Sequence, residues 1–588
     1  MKNTVNTLFR TALPRYGKRS VFFLTVIAIP VLLILLGQSA LLSVEGEWAA
    51  CSRIAVDDGT FLDSGSGWKP DDFHNVIGGC IVRELSNFVP LSEWLIRIPA
   101  VLAALALLAG SMVLALEVAD RKTAVLTGWL MLGSYGFLYW GRVGSGEMFA
   151  AAALVWAAVL FYGNVRNRRV SFRIGLDFFF LFFAVLVMCG LTSAVGMVIF
   201  LLPQWRAMLV QNKLSLRRIG ILFASGICAL LSIAALMFAA VYMRRFHDGF
   251  WGNICELWRL LPVLGKAAVR EFFSSAGINI AEGILHLPRL MLPWTLLLPA
   301  AVWNLWSKRG ELQDEHKRLL YGIVWFILCV GIFPVRRWGT VLPVLGPALI
   351  LLALSCSTRF NKNVWEERSE AAVRSVFMIA AALVLALPCT WPLWTRLLGV
   401  KPPLLLLAVA AVTGVFALAV LMYTARPGNL VDKIIKRQSP LAGTVFAGVL
   451  LSVFVNCVLF PEMNMFRTER DFWKRSRVVL AQCYPQPELV LFYKMRVREP
   501  AIFYLESGIP FKSIVSPGEL DLFLRNTGGK LAVVSQNSPE TVRELRMLAQ
   551  KNRRRFHEGE ALVTEAHPVA FVRSDKRSNG YALWILEF

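Results

Sequence analysis

Two carboxylates, a lysine and several arginines stand where this chain leaves long apolar runs. Glu45-Gly46-Glu47-Trp48 follows the first such run directly, and Trp68-Lys69-Pro70 closes the same stretch, Val44–Pro70. Arg142 and Glu147 share the segment Gly141–Met148, and Arg336 and Arg337 share Pro334–Gly339. Arg259 is a further cation in a later polar stretch. Acids that end a hydrophobic segment are ordinarily solvated, but ionisable groups gathered at one membrane boundary are functional candidates. The chemistry such a set suits is transfer of a sugar from a lipid phosphate. A carboxylate takes the proton of the acceptor, while Lys and Arg hold the departing phosphate, Arg in bidentate fashion. Glu45 is read as the base or the acid that orients the acceptor, with Glu47 in reserve and Glu147 as the third candidate acid. Lys69 contacts the donor phosphate, Arg336 and Arg337 hold phosphate or acceptor, and Arg259 is a further phosphate contact. Arg142 supports the site or pairs with Glu147.

Positioning these groups is the task of a membrane scaffold. The chain has 588 residues, of which 56% are hydrophobic and only 17% charged, with a mean hydropathy of +0.57. Its formal charge of +23 would suggest nucleic acid for a soluble protein. In a polytopic protein it reflects Lys and Arg in cytoplasmic loops, so no nucleic-acid partner is expected. Thirteen apolar spans run from Val21–Leu42 to Ala442–Phe460, each near the ~20 residues a helix needs to cross the hydrocarbon. They include Ala124–Trp140, Leu290–Trp306, Val376–Trp394 and two short spans, Leu176–Gly190 and Ser193–Leu202. Alternate loops are basic, for example Arg166, Arg168 and Arg169, or Lys308, Arg309, Lys317 and Arg318. This pattern puts the N-terminus in the cytoplasm and the acids on the outer face.

Two outer loops are long, 43–93 and 244–289. The second holds Phe250–Leu261, which reads either as an interfacial amphipathic helix or as an ordinary surface helix. Cys51 and Cys80 share the first outer loop and either pair or stay as thiols. Residues 1–460 therefore form the membrane region, and 461–588 change character. Leu489–Tyr493, Ser513–Val515 and Leu531–Ser535 predict strands, as does the terminal Ala582–Phe588. Gly518–Arg525 and Pro539–Gln550 predict helices, each opened by a Ser cap and a Pro in the first turn. The expectation is an α-helical polytopic membrane protein with a small extracytoplasmic α/β domain.

The order and spacing of these segments resemble the GT-C superfamily of integral-membrane glycosyltransferases. The resemblance is to the branch of the lipid A aminoarabinose transferase and relatives of the protein O-mannosyltransferases. Glu45-Gly-Glu47-Trp48-Ala49 with Arg53 is similar to that branch's Asp-Glu-x-x-Tyr-Ala motif, Trp68-Lys69-Pro70 to Glu-Lys-Pro, and Arg97-Ile-Pro99 to Arg-Leu-Pro. Gly141-Arg142 through Glu147-Met148 is similar to Gly-Arg-Ile-x-x-x-Asp-Met. Leu292-Pro293-Trp294 and the segment 337–343 fit the same pattern. The resemblance implies a polyprenyl-phosphate sugar donor, an acceptor that is lipid A, another glycan or protein, and a place in the cytoplasmic membrane. The chain departs from the pattern at three positions. Val44 stands at the leading Asp, so Glu45 or Glu47 must serve as the acid; Glu147 replaces the second Asp; and Trp68 replaces an acid. A divalent metal stays open as a cofactor, and Trp68 weakens that case. A lipid or sugar transporter, an envelope assembly protein and a catalytically inactive family member are the competing readings.

Overall fold

Long apolar segments in lipid can satisfy their backbone only as helices or closed barrels, and this chain uses helices. The computed structural model describes residues 15–37, 41, 43–57, 73–167, 172–211, 224–228, 280–307, 310, 312–332, 338–356, 364–398, 404–425, 440–461, 470–482, 487–497, 499–505, 509–527, 531–536, 538–552, 555–557 and 581–587. Helices α1 (Arg15–Leu33), α2 (Ser43–Asp57), α3 (Phe73–Ser86) and α4 (Glu93–Val118) open the fold. They are followed by α5 (Arg121–Gly133), α6 (Tyr135–Trp140), α7 (Glu147–Asn167) and α8 (Phe172–Gln211). Next come α9 (Ile280–Leu290), α10 (Leu298–Ser307), α11 (Asp314–Ile332) and α12 (Leu345–Cys356), then α13 (Val364–Leu398), α14 (Leu404–Ala425) and α15 (Pro440–Val453).

Among the described residues, four helical stretches are long and apolar enough to cross a membrane: Glu93–Val118, Gly339–Cys356, Ala371–Thr390 and Leu404–Tyr423. Four shorter apolar helices join them: Arg19–Leu33, Glu147–Tyr162, Gly175–Leu186 and Gly443–Leu459. The first two long stretches are 72% and 89% buried, whereas Ala371–Thr390 and Leu404–Tyr423 are 22% and 33% buried. Leu383, Leu404, Leu405 and Val412 accordingly project outward. An apolar face of that extent suits lipid and not water.

The sequence and the structure differ in instructive places. The stretch after the first span reads as a loop, yet Ser43–Asp57 is helical, and Glu45 through Ser52 are all buried, so packing surrounds its first turns. The span expected over Ala124–Trp140 breaks at Ser134, whose extended backbone separates α5 from α6. The Tyr135 N–H, released by that break, donates to the Leu292 carbonyl at 2.7 Å. The expected Leu290–Trp306 span opens with a turn and a 3₁₀ segment, Trp294–Leu297, before α10. Trp294 there is buried and its indole donates to the Leu130 carbonyl. Helix α13 extends well beyond the expected Val376–Trp394 and keeps Pro388 and Pro392 inside it.

Helix α8 is helical over 40 residues, which in a straight rod would be ~60 Å, about twice the hydrocarbon thickness. Phe178 and Trp205 nevertheless stack with ring centroids 5.8 Å apart, and both contact Phe161. A straight helix would hold those two residues ~40 Å apart. The segment therefore turns back on itself, as two short spans flanking Gly190 predict.

Beyond the helices lies a five-stranded sheet in the order β2-β1-β3-β5-β4. Helix α16 (Arg470–Gln482) leads into β1 (Leu489–Tyr493), α17 (Glu499–Leu505), β2 (Phe511–Ile514), α18 (Pro517–Asn526), β3 (Leu531–Gln536), α19 (Pro539–Lys551), β4 (Arg555–His557) and β5 (Tyr581–Glu587). Strands β2, β1 and β3 run parallel, while β5 and β4 are antiparallel. Strand residues alternate between two cores, as the period of two requires. Val490, Phe492, Ala532 and Val534 face one core, and Leu491, Tyr493, Leu531 and Val533 face the other. Ser516 and Ser538 cap α18 and α19 through the N–H groups of Glu519 and Thr541. The second strand begins two residues before its expected start. The three-residue β4 is too short to be anticipated, and α16 and α17 lie outside the expected elements, although Phe472, Trp473 and Leu480 of α16 are buried at helical spacing.

Candidate active site

The first face of the sheet is covered by the start of the chain. Trp48, Ile54, Val82 and Leu95 share a core with Trp473, Tyr504 and Phe511. Helix α17 packs on α2. The Leu41 N–H donates to the Tyr504 hydroxyl at 3.2 Å, and burial raises the Tyr504 phenol above the ordinary tyrosine range. Glu93, at the start of α4, receives Arg470 at 2.9 Å and Lys474 at 3.8 Å. Gly78 of α3 lies so close to Trp48 that a Cβ there would sit 2.0 Å from the indole. Two helices and a sheet thus fix the segment carrying Glu45 and Glu47.

Glu45 lies in the first turn of α2, where helix N–H groups favour a carboxylate. Its partner is Arg97, in the second turn of α4. Glu45 is 0% and Arg97 2% exposed. Arg97 Nε donates to Oε1 at 2.6 Å and Nη2 to Oε2 at 2.8 Å. The Gly144 N–H adds a third bond to Oε1 at 3.0 Å. Arg97 Nη1 then reaches the Leu36 carbonyl. A buried ion pair holds only when its remaining donors and acceptors are satisfied, and this one draws on two other segments to do so, at Gly144 and Leu36.

Arg142 performs a related task. Its Nη2 donates to the Ile34 carbonyl at 2.6 Å, and the buried Cys457 side chain lies within electrostatic reach of the guanidinium. Between Ile34 and Leu36, Leu35 takes the left-handed conformation (φ 52) that side chains disfavour. The two arginines hold the carbonyls on either side of it, so the exit from α1 is pinned from both flanks.

Glu147 differs from Glu45 in setting. It opens α7, is half-buried, and packs against the segment Trp338–Val344. A Cβ on Gly339 would meet Glu147 Cγ at 2.9 Å and the Trp140 ring at 2.6 Å. Tyr139 stands within electrostatic reach of Glu45, Glu147 and Arg289. Its ring lies 5.4 Å from that of Tyr135, whose hydroxyl accepts a hydrogen bond from Arg289. Glu47 is buried.

The structure thus brings Glu45, Glu47, Arg142 and Glu147 to one region. Lys69, Arg259, Arg336, Arg337, the Phe250–Leu261 stretch and the Cys80 side chain lie outside the described residues. Arg336 and Arg337 directly precede the segment that covers Glu147. Arg97, Tyr135, Tyr139 and Arg289 were not site candidates from sequence. The signals available were an arginine within the first turns of an apolar span and another at an expected outer boundary. Among the described residues no group of three His, Cys, Asp or Glu side chains converges. Arg97 occupies both oxygens of Glu45. These residues therefore do not fit a metal site.

No protein-family model matches the sequence, and no curated protein matches it. Solved structures do. ArnT from Cupriavidus metallidurans in the apo state superposes with a TM-score of 0.62 at 15% identity, over 96% of this chain and 97% of that one. The same protein bound to undecaprenyl phosphate gives 0.61 at 15% identity over the same shares. The fold is that of ArnT. The likeness to ArnT spans helices and sheet alike. AglB from Archaeoglobus fulgidus, an archaeal oligosaccharyltransferase, aligns more loosely, with a TM-score of 0.42 at 9% identity over 91% of this chain and 71% of that one.

Proposed function

We propose that this protein is a membrane glycosyltransferase that takes a sugar from a polyprenyl-phosphate donor and passes it to an acceptor at the outer face of the cytoplasmic membrane. The ArnT fold supports the class, since one ArnT structure holds undecaprenyl phosphate. The basic alternate loops support the orientation. Residues 461–588 then form an extracytoplasmic domain resting on the outer helices.

The observation that carries the mechanism is the contrast between two acids. Glu45 is sealed, with both oxygens held by Arg97 and one also by Gly144. That geometry suits an anchor and not a proton acceptor. Glu147 is half-buried beside Tyr139 and Gly339. We therefore assign the base to Glu147, keep Glu47 as a second acid near it, and give Glu45 the task of positioning Arg97 and the Gly141–Met148 turn. In the transfer, the acceptor oxygen forms a bond to the anomeric carbon while its proton passes to the carboxylate. The bond from that carbon to the phosphate oxygen breaks, and its electron pair leaves with the polyprenyl phosphate. Cations stabilise that departing charge; Lys69, Arg259, Arg336 and Arg337 are the sequence candidates.

Sugar transfer from radiolabelled polyprenyl-phosphate sugars in membranes tests the reading, comparing wild type with Glu147→Gln and Lys69→Ala. Transfer by wild type that falls at least a hundredfold in Glu147→Gln is expected, the usual size of a general-base contribution. Full transfer in Glu147→Gln rejects the base assignment. Lipid transport without sugar transfer by wild type rejects the class.

A further inference from the structure

Arg289 is an exposed cation on a rigid mount. It sits in the last turn of α9, and its neighbours Leu290 and Met291 are fully buried. The Leu290 backbone lies against Gly136, where a Cβ would meet its carbonyl oxygen at 2.9 Å. Tyr135 binds this segment twice, through its N–H to the Leu292 carbonyl at 2.7 Å and through its hydroxyl to the Arg289 guanidinium. Thr295 closes the turn by donating to the Pro288 carbonyl. Helix α9 also packs on the Trp338–Val344 segment that covers Glu147. Tyr135 and Tyr139 form a wall here, their rings 5.4 Å apart, and Tyr139 is within electrostatic reach of both Arg289 and Glu147.

We propose that Arg289, aimed by Tyr135, is a phosphate-binding residue that holds the lipid-linked donor at this wall. The proposal rests on the transferase reading above. A guanidinium offers parallel N–H groups that match two phosphate oxygens, and a hydrogen bond to a phenol fixes its plane without neutralising its charge. Phosphate at Arg289 lays the sugar ring over Tyr139, and its anomeric carbon toward the acceptor and Glu147. A fixed cation there stabilises the charge that develops on the leaving phosphate.

The test is binding to the purified full-length protein in detergent, with undecaprenyl phosphate, undecaprenol and inorganic phosphate as separate probes. Wild type should prefer undecaprenyl phosphate to undecaprenol. Arg289→Gln should weaken undecaprenyl phosphate roughly tenfold, the scale of one charge-assisted hydrogen bond, and leave undecaprenol unchanged. Arg289→Lys should recover part of the loss, and Tyr135→Phe should weaken binding less than Arg289→Gln. Arg525→Ala, on the far side of the sheet, serves as a control. Thermal melting of each variant reports folding, and Arg289→Lys keeps the charge if Arg289→Gln melts early. The proposal is overturned if Arg289→Gln binds undecaprenyl phosphate as wild type does, or loses undecaprenol equally. Binding of inorganic phosphate alone, without preference for the lipid, also overturns it. A wild type that does not distinguish undecaprenyl phosphate from undecaprenol instead removes the transferase reading on which it stands.

Discussion

Glu45 and Glu147 both lie in the first turns of helices, yet one is enclosed and the other is half-buried. The enclosed acid organises: it joins α2, α4 and the Gly141–Met148 turn through one carboxylate. The half-buried acid sits beside Tyr139 and Gly339 instead. Sequence position and residue type do not separate these roles; accessibility and the identity of the hydrogen-bond donors do.

Removing one side of the enclosed pair should have the largest effect. Arg97→Ala leaves Glu45 buried without its counter-charge, which costs about 3–5 kcal/mol. The expected outcome is little folded protein by size-exclusion chromatography in detergent. Replacing both, Glu45→Leu with Arg97→Met, should recover folding substantially, and failure to do so would mean that the pair's contacts to Leu36 and Gly144 matter more than its charge. Glu147→Gln sharpens the contrast from the other side, since its melting temperature should stay near wild type while transfer collapses. An early-melting Glu147→Gln would make this acid an anchor as well.

Gly78→Ala comes next. The added methyl meets the Trp48 ring, and overpacking of this kind costs about 1–3 kcal/mol. Thermal melting should fall, and transfer with it, because Trp48 and Glu45 share α2.

The smallest effect lies far from either acid. Asp521 bonds Lys551, Asn552 and Arg525, each at 2.8 Å, joining α18 to α19. The hydrogen bond from Lys551 comes first among the causes that hold its carboxyl below the ordinary range. The folded state therefore favours the carboxylate. This contribution is fully present above the unfolded carboxyl's pKa, and is lost as pH falls through the lower folded value. Melting of wild type against Asp521→Asn from neutral to acid pH should converge at the acid end; a constant difference would show that the charge is not the cause.

How much of this was legible in the sequence depends on the range of the interaction. Ser516 and Ser538 announce helix starts because a cap acts within three residues. The strands of the sheet show in their alternation, and the reversal of α8 shows in the two short spans. The helical state of Ser43–Asp57 does not, because Gly46 weakens it locally and its buried positions follow no amphipathic stripe. What holds it is burial of Trp48 and its neighbours under a sheet more than 400 residues later. The Glu45–Arg97 bond spans 52 residues, and no local rule links them. Arg289 was visible only as a boundary cation, since its meaning comes from Tyr135 on another helix.

The bond from Leu41 to Tyr504 also sets a schedule, because 463 residues separate its ends. At ordinary rates of synthesis, ~5–20 residues per second, roughly 20 to 90 seconds pass between the emergence of one partner and the other. Throughout that interval the face of α2 that bears Trp48 has no sheet to cover it. A chain whose synthesis stops early carries the acids but lacks the surface that seats them.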